Sequence, residues 1–112
     1  MVQFIRKHSK EGEIDMKHLI IVKFKENVWA RESEASREML SGIRENRTKQ
    51  IEGVHTVNIY ENVTPRPNRH DLMIEMEMAQ EALPVYDDSA AHQEWKAKYG
   101  EYIQTKTIFD YE

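Results

Sequence analysis

Met16-Lys17-His18-Leu19-Ile20-Ile21-Val22-Lys23-Phe24-Lys25 decides the fold of this chain. It is the longest apolar and β-branched run, it has the length of a strand, and lysines close it at both ends. Alternation sorts it into two faces, with His18, Ile20, Val22 and Phe24 on one and Leu19 and Ile21 on the other. A strand that is apolar on both faces needs a cover on both. Helices elsewhere in the chain can supply one cover. A chain of 112 residues has no obvious second layer for the other, which points to a partner subunit.

Working outward, Glu26-Asn27 gives a turn and an N-cap, and Trp29 opens a helical segment to about Thr48. Its apolar positions Ala35, Met39, Leu40 and Ile43 fall at helical spacing, so this helix covers one sheet face. Gly53 supplies a permissive turn residue before a second strand over 54–63, with Val57 and Ile59 facing one way and Asn58 and Tyr60 the other. Thr64-Pro65-Arg66-Pro67-Asn68-Arg69-His70 is a stiff loop, because two prolines remove donors and restrict the residues before them. Leu72, Ile74, Met76 and Met78 then alternate with Met73, Glu75 and Glu77, which makes the second and third strands an antiparallel hairpin. Gln80 to about Tyr86 reads as a short helix with Pro84 in its first turn, interrupted by Asp87-Asp88-Ser89. Ser89 caps a further helical piece, Ala90 to Tyr99, which Gly100 terminates. Ile103 to Tyr111 has strand composition and returns beside the first strand.

The order βαββαβ predicts an α+β, ferredoxin-like subunit with a four-stranded antiparallel sheet and helices on one face. Leu19, Ile21, Met73 and Ile108 are expected on the opposite, open face. An apolar face of that size does not stay exposed in a soluble monomer, and two such sheets packed face to face would bury it by symmetry. Residues 16–112 form the domain and residues 1–15 an arm outside it. Phe4 and Ile5 in that arm either belong to a disordered terminus or dock on a neighbouring strand edge or subunit.

Composition narrows the function classes. Cysteine is absent, so disulfides, thiolate nucleophiles and zinc-thiolate sites are ruled out. The charge of −4 comes from 16 basic and 20 acidic residues with no basic stripe, and no nucleic-acid partner is expected. No apolar run approaches the roughly 20 residues of a membrane span. Met1 to Asp15 lacks the apolar centre of a signal peptide, so no membrane association and a cytoplasmic location are expected.

A set of short pieces carries a family resemblance: Lys17-His18 opening a strand that ends Phe24-Lys25, Gly53-Val54, Asn62-Val63-Thr64-Pro65-Arg66-Pro67, Ala91-His92-Gln93-Glu94, and the ending Ile108-Phe109-Asp110-Tyr111. In order and spacing they resemble the stress-responsive dimeric α/β-barrel domain, Dabb, over about residues 16–112. The resemblance implies a ferredoxin-like subunit that pairs as a dimeric α/β barrel. Most members are described only as stress-induced or of unknown function. Olivetolic acid cyclase-type proteins of the family close a polyketide by an aldol reaction without a metal. Three pocket positions of that type are matched by His18, Tyr86 and His92. A fourth histidine falls near the apolar Leu72, with His70 two positions earlier, and Ser89-Ala90-Ala91-His92 stands where the family often has His-Pro-Ala-His.

The chemistry of those three residues allows two readings. In one, His92 takes a proton from a carbon beside a carbonyl, Tyr86 donates to the developing enolate oxygen, and His18 orients the base or the substrate. In the other, His92 and Tyr86 tie the broken helix together while His18 packs at a strand end. Neither His18, His92 nor the Asp87-Asp88 pair has metal-ligand spacing, and neither metal nor cofactor is expected. Arg66 and Arg69 can clamp an anionic ligand or pair with carboxylates such as Asp71, and Trp29 and Trp95 are packing residues. Two functions follow: a homodimeric stress-response domain with a cavity for a small apolar or carbonyl ligand, or a cofactor-independent cyclase or lyase acting on a polyketide-like carbonyl compound.

Overall fold

The computed structural model describes residues 15–26, 28, 34–64 and 66–112. Residues 1–14 of the expected arm, the expected cap at Asn27, the helix start at Trp29 and Pro65 lie outside the described residues.

Strand β1 (Asp15–Phe24) alternates strictly, with Met16, His18, Ile20, Val22 and Phe24 buried and the intervening residues half-buried. It begins one residue before the expected domain boundary. Helix α1 (Glu34–Glu45) buries Ser36, Leu40 and Ile43, while Ala35, expected inward, is exposed. The helix stops short of Thr48, and a 3-10 turn (Arg47–Gln50) follows. Asn46 caps that turn by accepting the Thr48 amide, which takes up one of the donors a helix start leaves unpaired. Gly53 then turns the chain at a φ of 90°, a conformation that side chains disfavour.

Strands β2 (Val54–Glu61) and β3 (Leu72–Ala79) form the expected hairpin, although β2 ends before Asn62. Helix α2 (Ala82–Asp88) includes both aspartates, so the break falls at Ser89 alone. Pro84 lies in its first turn, where its missing N–H leaves no intrahelical bond unmade. Helix α3 (Ala90–Tyr99) starts at Ser89, whose Oγ accepts the His92 amide. After a 3-10 turn (Gly100–Tyr102), strand β4 (Ile103–Tyr111) returns beside β1. Gly100 has ordinary helical φ and ψ, so the helix tightens into this turn without a left-handed cap.

The sheet order β2-β3-β1-β4, antiparallel throughout, is the ferredoxin-like arrangement, and β1 runs through its middle. Its even-numbered residues join Leu40, Ile43, Leu72, Ile74, Met76, Met78, Tyr86 and Trp95 in one core beneath the helices. Each large side chain buried to the extent of Val22 or Met76 contributes about 1.5–3 kcal/mol.

The other face carries an apolar band: Tyr60 beside Met73, Met73 beside Ile21, and Leu19 beside Phe109. Tyr60, Phe109 and Tyr111 are exposed. Lys17 sits between Glu75 and Glu77, with 3.8 Å ion pairs to each, and gives one end of this face a charged strip. Ile108, expected here, pairs with Ile20 and therefore belongs to the helix side. A register shift between Lys23 and Phe24 reverses the phase of β4, which brings Phe109 to the open face in its place. Among the described residues no helix is long and apolar enough to cross a membrane.

Candidate functional site

His18 lies well inside β1, not at a strand end, and is 4% exposed. The register sets it opposite Asp110 of β4, and its Nδ1 donates to the Asp110 carboxylate. An acceptor at Nδ1 fixes the tautomer of the neutral ring and leaves Nε2 with its lone pair. On the inner side His18 meets the edge of Tyr86, with ring centroids 5.6 Å apart. The opposite side of the site is His92, whose ring lies 4.5 Å from that of Tyr86 and tilted to it by 31°. The chain thus brings together all three candidates, as a ladder of rings with Tyr86 in the middle.

The broken helix places two of the three. Ser89 donates its hydroxyl to the Tyr86 carbonyl and accepts the His92 amide, holding the end of α2 against the start of α3. His92 donates Nδ1–H to the Asp87 carbonyl at 3.0 Å, which leaves Nε2 as its basic nitrogen. Asn46 fastens the same region from outside, donating to the Ala91 carbonyl at 3.0 Å.

Between sheet and helices lies a cavity of about 320 Å³, near the lower end of the range for small-molecule pockets. Ile20, Ile74 and Met76 form its floor, and Ile43 and Trp95 its roof. Tyr86 lines it, whereas His18 and His92 do not. The Tyr86 hydroxyl has no hydrogen-bond partner among the described residues, and its oxygen is not sealed off. The site therefore offers a ligand one phenol directly and two imidazoles only through that phenol's ring. Among the described residues no cluster of histidines and carboxylates is placed to hold a metal.

Residues 16–112 match the family model described as the Stress responsive A/B Barrel Domain, Dabb. The chain belongs to the Dabb family. Solved structures agree on the fold. A Dabb family protein from Mesorhizobium loti with a ferredoxin-like fold superposes with a TM-score of 0.70 at 18% identity, covering 88% of this chain and 95% of that one. A dimeric ferredoxin-like protein of unknown function from Thermobifida fusca has a TM-score of 0.75 at 9% identity, covering 96% and 98%. The hydroxynitrile lyase of Passiflora edulis has a TM-score of 0.66 at 10% identity, covering 87% and 91%. At these identities the likeness is one of Dabb-type fold. No curated protein matches the chain.

Two residues of this Dabb site were not singled out from the sequence. Asp110 stands 92 positions from the histidine it holds, and only the pairing of β1 with β4 joins them. Asn46 falls inside the helical segment expected to run to about Thr48 and has no role assigned there. The signal for it was Asn-x-Thr, an Asn whose side chain can accept the amide two residues on.

Burial raises the pKa of Tyr86 well above the ordinary value of 10.0, and the charge of Asp87 adds to the shift. The phenol is therefore a donor across the whole physiological range, not a base. Tyr99 is raised too, by burial first. The sign of the linkage follows. Below pH 10 both tyrosines are protonated in folded and unfolded chains and contribute no pH dependence. Above it the unfolded chain loses protons that the folded chain keeps, so stability falls, for the buried Tyr86 at a limiting slope of about 1.4 kcal/mol per pH unit and for the less buried Tyr99 by much less. Urea midpoints at pH 9, 10 and 11 should fall chiefly between the last two in the wild type, and less so in Tyr86→Phe. Parallel curves for the two proteins would remove Tyr86 as the cause.

Proposed function

We propose that this Dabb domain is a cytoplasmic homodimer, paired through its open sheet face, that binds a small apolar carbonyl compound in the cavity between sheet and helices. The observation that carries the ligand reading is Tyr86, whose hydroxyl has no partner among the described residues, in the wall of a cavity that has apolar residues at floor and roof and Arg44, Asn46, Thr48 and Asn58 in the rest of its lining. A carbonyl oxygen is the natural acceptor for a phenol that burial keeps protonated, and Ile20, Ile74, Met76 and Trp95 suit a hydrocarbon body. The pairing reading is supported by the exposed Tyr60, Phe109 and Tyr111 and by the dimeric state of the Thermobifida fusca protein.

Acetophenone and ethylbenzene, which differ by the carbonyl oxygen, test the ligand reading. Acetophenone should shift the nuclear magnetic resonance signals of Ile43 and Trp95 saturably. Tyr86→Phe should weaken it about three- to tenfold, the worth of one hydrogen bond, and leave ethylbenzene unchanged. No saturable shift at those residues, or equal loss of both compounds, refutes the assignment.

A second reading, a cofactor-independent cyclase or lyase of the olivetolic acid cyclase type, draws on the contact of Tyr86 with both His18 and His92. Here the substrate reaches past Tyr86, beyond the cavity lining, to His92, whose Nε2 takes the proton from the carbon beside the carbonyl. The electron pair moves into an enolate, and Tyr86 donates to its oxygen while His18 orients the phenol. Deuterium should then enter the methyl group of acetophenone faster than in buffer, and His92→Ala should abolish the excess while changing the melting temperature little. An exchange rate equal to that of buffer in the wild type excludes this reading and leaves the binding one standing.

A further inference from the structure

The cavity between sheet and helices has a polar wall as well as an apolar floor and roof. Where α1 ends and the 3-10 turn at Arg47–Gln50 begins, Arg44, Asn46 and Thr48 line it. This wall is on the helix side of the sheet, away from the face proposed for self-association. Asn58 also borders the cavity, but it alternates with Val57 and Ile59 and pairs with Glu75, so its side chain belongs to the other face.

The hydrogen bonds already made decide what this wall has left. Asn46 Oδ1 accepts both the amide and the hydroxyl of Thr48, and Asn46 Nδ2 donates to the Ala91 carbonyl. Thr48 has thus given up its only side-chain proton, and Asn46 keeps one N–H. Arg44 is in a different position. It is exposed, and its guanidinium has neither a hydrogen bond nor an ion pair among the described residues. The residues three and four places before it on α1 are Ser41 and Leu40, so no carboxylate on its own face of the helix can neutralise it, and Glu45 next to it accepts the Ser41 hydroxyl. A cation in the last turn also suits the helix dipole, but that contribution leaves all five guanidinium N–H groups unused.

The cavity lining therefore carries two separate donor groups, the Tyr86 hydroxyl and the Arg44 guanidinium, with Ile20, Ile74 and Met76 as its apolar floor. An apolar cavity of about 150 Å³ holds benzene. At about 320 Å³ this one has room for a ring and two substituents. A ligand that meets both donors carries two acceptors on an apolar body, and a carboxylate is the acceptor whose two oxygens match the guanidinium fork.

We propose that the compound bound here is an oxo acid, its carbonyl oxygen on Tyr86, its body on the apolar floor and its carboxylate on Arg44 at the solvent-facing end. The proposal rests on the carbonyl reading above for one end of the ligand and adds the other. Because the guanidinium is exposed, the pair it makes is screened, and the gain in affinity is modest and salt-dependent.

Four related compounds separate the two ends: ethylbenzene, acetophenone, 4-ethylbenzoate and 4-acetylbenzoate. With the isotope-labelled full chain at low salt, 4-acetylbenzoate should shift the signals of Ile43 and Trp95 saturably and bind about three- to fivefold more tightly than acetophenone. Arg44→Gln should bring the ratio of those two affinities to about one, and so should about 1 M salt. Tyr86→Phe should instead close the gap between 4-acetylbenzoate and 4-ethylbenzoate. Unchanged β-sheet amide signals show that both variants fold. If acetophenone outbinds ethylbenzene through Tyr86 but the carboxylate brings no gain, or a gain that survives Arg44→Gln, the oxo-acid proposal falls and the carbonyl reading stands. If the carboxylate gain needs Arg44 while acetophenone binds no better than ethylbenzene, the carbonyl reading falls and the cavity takes an acid without an oxo group. Absence of saturable shifts with all four compounds overturns both.

Discussion

Phe109→Asp should convert the assembled protein to a monomer at micromolar concentration. The side chain is 60% exposed in the protomer, so a charge there costs the folded subunit little. In the proposed pairing it is covered, and so are the neighbouring Leu19 and the band that continues through Ile21 and Met73. An uncompensated charge held under a second sheet costs about 3 kcal/mol or more, which is at least about a hundredfold in the dissociation constant. The control is one residue away. Ile108, half exposed but turned to the helix side, should accept the same substitution without any change in assembly. Light scattering on the three proteins decides the matter. A wild-type monomer, or a Phe109→Asp variant that still pairs, removes the open face as the interface. Dissociation by both variants would mean that β4 associates through its edge or its other face.

The comparison of adjacent residues also shows where sequence stops being sufficient. β1 and β3 were legible because a period of two is a local property: each apolar position reports its own face, and both strands kept their phase. β4 was not, because its phase depends on a bulge opposite Phe24, and a one-residue shift exchanges the faces of everything beyond it. The helices show the same limit. Leu40 and Ile43 point inward as their spacing requires, but Ser36, a polar residue, is fully buried where Ala35 was expected. Hydrophobicity cannot identify a buried serine. In the candidate site, Tyr86 and His92 were close enough in sequence for a broken helix to join them, whereas His18 entered through resemblance. Its partner Asp110 needed the pairing of the first and last strands, a contact no local pattern encodes.

That partner gives the other large effect. Asp110→Ala strands the Nδ1–H of a histidine that is 4% exposed, and water cannot readily replace the lost acceptor. A buried donor without a partner costs about 1–3 kcal/mol, and each kcal/mol is worth about 4–8 °C in the melting temperature of a domain near this size. The carboxylate itself is 41% exposed on an edge strand, so the alanine removes little packing of its own. Asp110→Asn separates the hydrogen bond from the charge. Its amide oxygen can accept the same N–H, and the variant should recover most of the loss. If asparagine is as damaging as alanine, the interaction depends on the negative charge and not on the hydrogen bond alone. Acetophenone binding adds a second axis. Should His18 only pack beneath Tyr86, Asp110→Asn keeps both affinity and stability. Should it orient the phenol, any turn of the imidazole moves the Tyr86 hydroxyl, and affinity falls even where stability is restored.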